Sequence, residues 1–225
     1  MNIWTHLATD PVFAQQSKDV TLEEKRWVTF KKVKRLIELD FVPFEVAMSE
    51  PEKSMAWVGA VGMYDWSVAA RKMLLIDFLV SNVLGAGTER HQKFVQDLVQ
   101  GKAYGCFALT EISHGTNSKA MRTTAQYESK EQVFVIHTPD FEAAKAWSGN
   151  MAETATHASV FAQLITEDGV CHGLHNFLVP IRDPETLVPF PGVIIGDMGH
   201  KIGLNGVDNG FLMFDNYKVS VRFRD

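Results

Sequence analysis

The hydrophobic pattern of this chain changes period at Gly101, and that change limits the fold more than any other feature. Before it, apolar residues recur at helical spacing; after it they alternate. Thr21 with Glu24 three positions on is a capping-box signature. It opens a segment with Trp27, Phe30, Val33 and Ile37 on one stripe. Lys31, Lys32, Lys34 and Arg35 lie largely off that stripe, so they read as a solvated face, with a basic patch for an acidic ligand as the alternative. Asp40 to Met55 carries two prolines and reads as a connector with a short helical piece. A second long helix is predicted from about Tyr64 to Leu84, apolar on several sides and so buried among neighbours, with Gly85 and Gly87 as its stop. Thr88 can cap a third, Glu89 to Gln100, with Phe94, Val95, Leu98 and Val99 inward.

Beyond Gly101, Thr123, Ala125 and Tyr127 alternate with Thr124, Gln126 and Glu128, as in a half-exposed strand. Ser129-Lys130-Glu131 is a turn candidate ahead of the strand-like Gln132 to His137. His157 to Thr166, the turn Glu167-Asp168-Gly169, and His172 to Ile181 form a hairpin-like pair. Val193 to Ile195 and Phe211 to Val219 supply further strands. Helices are therefore segregated from strands, an α+β fold, with a helical domain over 1–103 and a middle β domain over 104–225.

Composition removes several function classes. Of 225 residues 46% are apolar and 22% charged, and the net charge of −5 argues against non-specific nucleic-acid binding. The longest apolar run, Met73 to Leu84, is interrupted by Asp77 and Asn82, so no membrane span is expected. The N-terminus shows no signal-peptide pattern. Cys106 and Cys171 both sit in apolar surroundings; a buried free thiol in a reducing compartment is the expectation for each. Gly85-Ala86-Gly87 lacks dinucleotide-fingerprint spacing, and Gly196 to Gly210 reads as a loop between strands. His172 and His175, three apart on a strand, would face opposite sides, and Glu111 with His114 has no third ligand nearby, so no metal site is expected. Cys106 and Ser113 lie near His114, but nothing resembles a nucleophile elbow.

Tyr104 to Tyr127 is the least ordinary stretch. Thr110, Glu111, Ser113, His114 and Asn117 crowd around Gly115, which is poor core material but reasonable wall material for a polar, planar ligand. The letters CFALTEISHGTN followed by MRTTAQY resemble the flavin-contacting segment of the peroxisomal acyl-CoA oxidases, with its Thr-Glu-x-Gly-His-Gly-Thr core. The likeness recurs in Trp147-Ser148-Gly149 and in Phe161 to Ile165. It continues in Gly173-Leu174-His175 with Phe177 to Arg182, in Gly196 to Gly199, and in Phe214 to Tyr217. Ser81 to His91 also fits, so most of the chain is covered in order.

That resemblance implies a helical domain, a central β domain and C-terminal helical domains, assembled as a homodimer in the peroxisome. It implies FAD as cofactor and fatty acyl-CoA as substrate, oxidised to the trans-2-enoyl-CoA with O2 reduced to H2O2. By motif position Thr110 would hydrogen-bond the flavin ring and Gly149 would bring backbone close to it.

The departures are equally specific. The family's Trp-Pro-Gly-Gly-Leu-Gly-Lys run reads Trp147 to Glu153 here, with Glu153 in place of a lysine, unfavourable near an anionic cofactor. Leu109 stands where a Gln is common, and Lys119 and Arg122 alter local charge. After Val219 the chain reads Ser220 to Asp225 rather than continuing into the C-terminal helices, so a truncated form is expected. The catalytic glutamate would lie in that missing part, and the peptide alone is expected to be inactive. The C-terminus is not a peroxisomal Ser-Lys-Leu type signal, which leaves the cytosol open. A non-catalytic acyl-CoA-binding or dimerising relative is the alternative.

Overall fold

A computed structural model describes residues 3–14 and 20–221; Met1 and Arg222 to Asp225, read above from sequence, lie outside the described residues. Helices come first: α1 (Ile3–Thr9), α2 (Leu22–Leu39), α3 (Phe44–Ser49), α4 (Pro51–Tyr64), α5 (Trp66–Lys72), a π-helical turn (Met73–Asp77), α6 (Phe78–Ala86) and α7 (Gln92–Val99). Strands follow: β1 (Gly105–Ala108), β2 (Thr124–Glu128), β3 (Val133–His137), β4 (Lys145–Ser148), β5 (His157–Ile165), β6 (Cys171–Pro180), β7 (Val193–Asp197), β8 (Gly210–Phe214) and β9 (Tyr217–Ser220). The architecture is α+β, as the change of period requires.

Helix α2 starts where the capping box places it, Glu24 N donating to Thr21 Oγ1 and Thr21 N to Glu24 Oε2. Its buried face differs from the apolar stripe. Phe30, Val33 and Leu36 are buried, but Trp27 is 54% exposed, while Arg26 and Lys32 are buried. Both cations find partners that offset desolvation. Arg26 pairs with Asp197 and with Glu153 at 2.8 Å, and Lys32 lies 5.1 Å from the Tyr64 ring centre. The Lys31-to-Arg35 cluster is therefore not one solvated face.

The Asp40–Met55 connector is also more ordered than expected, because Pro51 stands at the first turn of α4, where its missing N–H costs nothing. The long helix begins at Trp66 rather than Tyr64, since Asp65 caps it by accepting from Ser67 N at 2.9 Å and Val68 N at 3.3 Å. Leu75, Ile76, Leu79, Val80 and Val83 are buried along it, whereas Trp66, Met73, Phe78 and Leu84 are exposed.

Strand β5 organises the large sheet. One of its edges takes β6 as an antiparallel partner, and the other takes β1 and then β2, both parallel. Strands β3 and β9 extend the sheet from β2. A smaller sheet has the order β4-β8-β7. The stretch Phe211 to Val219, expected as one strand, is two. Asn216 at φ +49 breaks it, leaving β8 in the small sheet and β9 in the large one. Cys106 is buried, but Cys171 is exposed, contrary to expectation, because β6 begins at the turn end of its hairpin, opposite Ile165, where the first residues of the strand are exposed. One core lies among the helices around Leu36, Val61 and Leu79; another lies between the sheets around Ala125, Val160 and Leu212.

Candidate functional site

The end of β1 and the end of β4 meet in space. Ala146 N donates to Thr110 O at 2.9 Å, and Ser148 Oγ donates to Phe107 O at 2.6 Å. The π-helical turn packs below them, adding Leu74, while α6 adds Phe78. Phe78 meets Phe107 edge-on at 5.0 Å, and Phe107 meets Phe161 likewise at 5.2 Å. Together they enclose a cavity of about 300 Å³, walled by Leu74, Phe78, Phe107 and Leu109, with Thr110, Ser148 and Asn209 as its polar members. Thr110 and Gly149, singled out separately in the sequence, line this same cavity.

Local backbone explains the shape of the wall. A register shift between Lys145 and Ser148 bulges β4, and Trp147 sits there at φ +55, the residue 61% exposed. Bulges of this kind re-aim side chains beside functional sites. Asn209 Nδ2 holds the Trp147 carbonyl at 2.6 Å. A Cβ on Gly149 would stand 2.7 Å from Leu74 Cδ1 and 3.1 Å from Val207 Cγ1. A side chain here would therefore press on the Leu74 and Val207 side chains, where the end of β4 packs against the π-helical turn.

Thr110 is half-buried, and neither its hydroxyl nor its amide N–H hydrogen-bonds to any of the described residues. Both polar groups are uncommitted beside an apolar cavity, a combination suited to a flat ligand with a polar edge.

Glu111, next to it, is committed. Its side chain and that of Lys145 are both fully buried, with Lys145 Nζ 3.1 Å from Glu111 Oε1. Burial alone would raise the Glu111 carboxyl, but Lys145 and donors from Arg122 and Thr123 outweigh it and hold the group below its ordinary range. Burial pulls the Lys145 ammonium below its usual value, with Glu111 opposing. Glu111 is thus unavailable as the metal ligand considered with His114, and no group of three His, Cys, Asp or Glu among the described residues could hold a metal.

Sequence reasoning missed Lys145, Leu74, Phe78 and Asn209. For Lys145 there was a signal, a lone lysine inside the apolar run Ala143 to Trp147. Glu153, flagged as unfavourable near an anionic ligand, lies 2.8 Å from Arg26, so its charge is already offset.

A helical half ahead of a curled mixed sheet, with a polar-edged apolar cavity at their junction, defines the class. Residues 106–217 match the family described as acyl-CoA dehydrogenase, middle domain. The chain is 49% identical over 218 residues to human peroxisomal acyl-coenzyme A oxidase 3, covering 96% of this chain and 31% of the relative. It is 37% identical to acyl-coenzyme A oxidase acox-3 of Caenorhabditis elegans, with 95% and 31% covered. The crystal structure of acyl-CoA oxidase 1 from Yarrowia lipolytica superposes with a TM-score of 0.83 at 33% identity, covering 97% of this chain and 32% of that one. Acyl-CoA oxidase-1 of C. elegans complexed with FAD and ATP gives 0.80 at 32% identity, covering 97% and 33%. The chain belongs to the acyl-CoA oxidase family. It spans about 31% of the length of these curated relatives.

Proposed function

We propose that this chain forms one wall of the flavin and acyl-CoA site of a peroxisomal acyl-CoA oxidase acting in fatty acid β-oxidation. The carrying observation is that Thr110 and Gly149 share one cavity with an apolar lining, and that the hydroxyl and N–H of Thr110 are uncommitted. The residues present fit FAD, for the cavity offers an apolar floor and few polar groups. When bound, FAD would supply hydride acceptance from the acyl β-carbon and electron return to O2, giving the trans-2-enoyl-CoA and H2O2.

Within this reading, Thr110 orients the ring through its hydroxyl, which both donates and accepts. Gly149 lets the end of β4 lie close without a side chain in the way. Phe78 and Phe107 exclude water from one side of the reacting bond, which strengthens electrostatic interactions there. No described residue is assigned as the base that removes the α-proton. Residues 1–103 then act as the helical domain and 104–225 as the middle β domain, within a homodimer. Relatives named as peroxisomal support that compartment.

Titration of the purified chain with FAD tests the reading, followed by palmitoyl-CoA under air with a peroxide assay. Saturable quenching of flavin fluorescence, weakened about tenfold by Thr110→Val, is the expected result, that factor being the loss of one good hydrogen bond. A chain that leaves flavin fluorescence unquenched would overturn it. The changed Trp147 to Glu153 segment favours a second reading, a non-catalytic acyl-CoA-binding relative. Flavin uptake with no peroxide from acyl-CoA, even in one polypeptide that spans the full length of the relatives, would favour that reading.

A further inference from the structure

Lys145 and Glu111 stand apart from the cavity surface, yet both are tied to its wall. Replacing a buried ion pair by packed apolar side chains is often neutral or stabilising, so net stability is a poor reason for one here. Geometry is a better one. Lys145 Nζ donates to Leu109 O at 3.1 Å as well as to Glu111 Oε1. The peptide joining Leu109 to Thr110 is trans, so a carbonyl drawn inward to Lys145 turns the Thr110 N–H the opposite way. Glu111 holds the far end of the same loop. Its Oε2 accepts from Arg122 N at 2.8 Å, and its Oε1 accepts from Thr123 N at 2.9 Å and Thr123 Oγ1 at 2.7 Å. One carboxylate thereby joins both feet of the segment between Thr110 and Thr123, and one ammonium fastens it to β4, the strand that carries Trp147 and leads into Gly149.

We propose that Lys145 and Glu111 are positioning residues of the cavity: the pair sets the orientation of the Leu109–Thr110 peptide against β4 and so aims the polar groups of Thr110 at the ligand. The step from orientation to ligand rests on the flavin reading above; the orientation itself does not.

The test uses the whole chain with Glu111→Gln and Lys145→Met together, which removes both charges at nearly constant volume. Amide hydrogen exchange is followed at Ile112 and Ala146, whose N–H groups bond to Ala144 O and Thr110 O across this junction. These amides are expected to exchange at least about tenfold faster, while the β5–β6 hairpin keeps its protection. Thr110→Val is then introduced into both backgrounds. Its expected cost in FAD affinity is about tenfold in the parent and under about threefold without the pair, a coupling that a merely structural pair would not produce.

Unchanged exchange at Ile112 and Ala146 overturns the proposal, as does a Thr110→Val effect of equal size in both backgrounds. If the double variant does not fold, Lys145→Arg keeps the charge and displaces the donor from Leu109 O. It is then expected to raise exchange at Ala146, and unchanged exchange there overturns the proposal equally. A parent that takes up no FAD would sink the flavin reading alone, with the exchange measurement still deciding the orientation.

Discussion

Arg71 and Asp208 face each other at 2.7 Å with both side chains fully buried. Arg71 also donates through NH1 to Arg26 O at 2.6 Å and Gly206 O at 2.7 Å. Asp208 Oδ2 accepts from Glu153 N at 2.8 Å and Thr154 N at 3.1 Å. The pair therefore bolts helix α5 to the glycine-rich loop and to the turn that follows Gly149.

Removing one partner leaves the other buried and uncompensated. Asp208→Ala is expected to lower unfolding free energy by roughly 3–5 kcal/mol. Denaturant unfolding followed by tryptophan fluorescence measures it. A loss under about 1 kcal/mol would mean that water reaches Arg71 and solvates it.

The two thiols should behave differently. Burial pushes Cys106 up to about 12, whereas Cys171 is exposed. Reaction requires the thiolate and access to it. An aromatic disulfide reagent at neutral pH should therefore titrate one thiol rapidly and the second only after denaturation. Cys171→Ser should remove the fast phase.

His157 links stability to pH. Burial depresses it from its ordinary 6.5 to about 4, so the folded protein resists protonating a group that the unfolded chain protonates readily. Its contribution is therefore fully present above about pH 6.5 and is lost as pH falls toward about 4. The slope is up to about 1.4 kcal/mol per pH unit while one proton separates the two states. Melting temperatures of the parent and His157→Gln across that window should converge on acidification.

Gly149→Ala would drive a methyl group against Leu74 Cδ1 and Val207 Cγ1. Overpacking of this sort costs about 1–3 kcal/mol. Leu74→Ala in the same chain is expected to restore most of that stability, because it vacates the nearest contact. FAD affinity is expected to fall in the single variant, and calorimetric titration would report it. An unchanged affinity would separate Gly149 from the ligand.

Much of this molecule was legible in its sequence because the signals were local. The capping box at Thr21 and Glu24 set the start of α2, the alternation around Ala125 set β2, and the turn at Glu167 to Gly169 set the β5–β6 hairpin. Each depends on a few neighbouring residues, and each survives folding because no distant group competes with it. The long motif around Thr110 likewise carried the family.

What the sequence determined by itself, then, was the division into helices and strands and the family; it also singled out Thr110 and Gly149, which line one cavity. Only the tertiary structure decided which charges go inside. Arg26, Arg71, Lys145, Glu111 and Asp208 look like surface residues one at a time, since a buried charge is tolerable only with a partner, and here every partner is remote in the chain. The inward turn of Arg26 and the outward turn of Trp27 have the same origin: carboxylates far along the chain, Glu153 and Asp197, arrive on that side of α2. The cavity is tertiary too, because its floor comes from a π-helical turn and its walls from the ends of two strands that touch only once the sheets have formed.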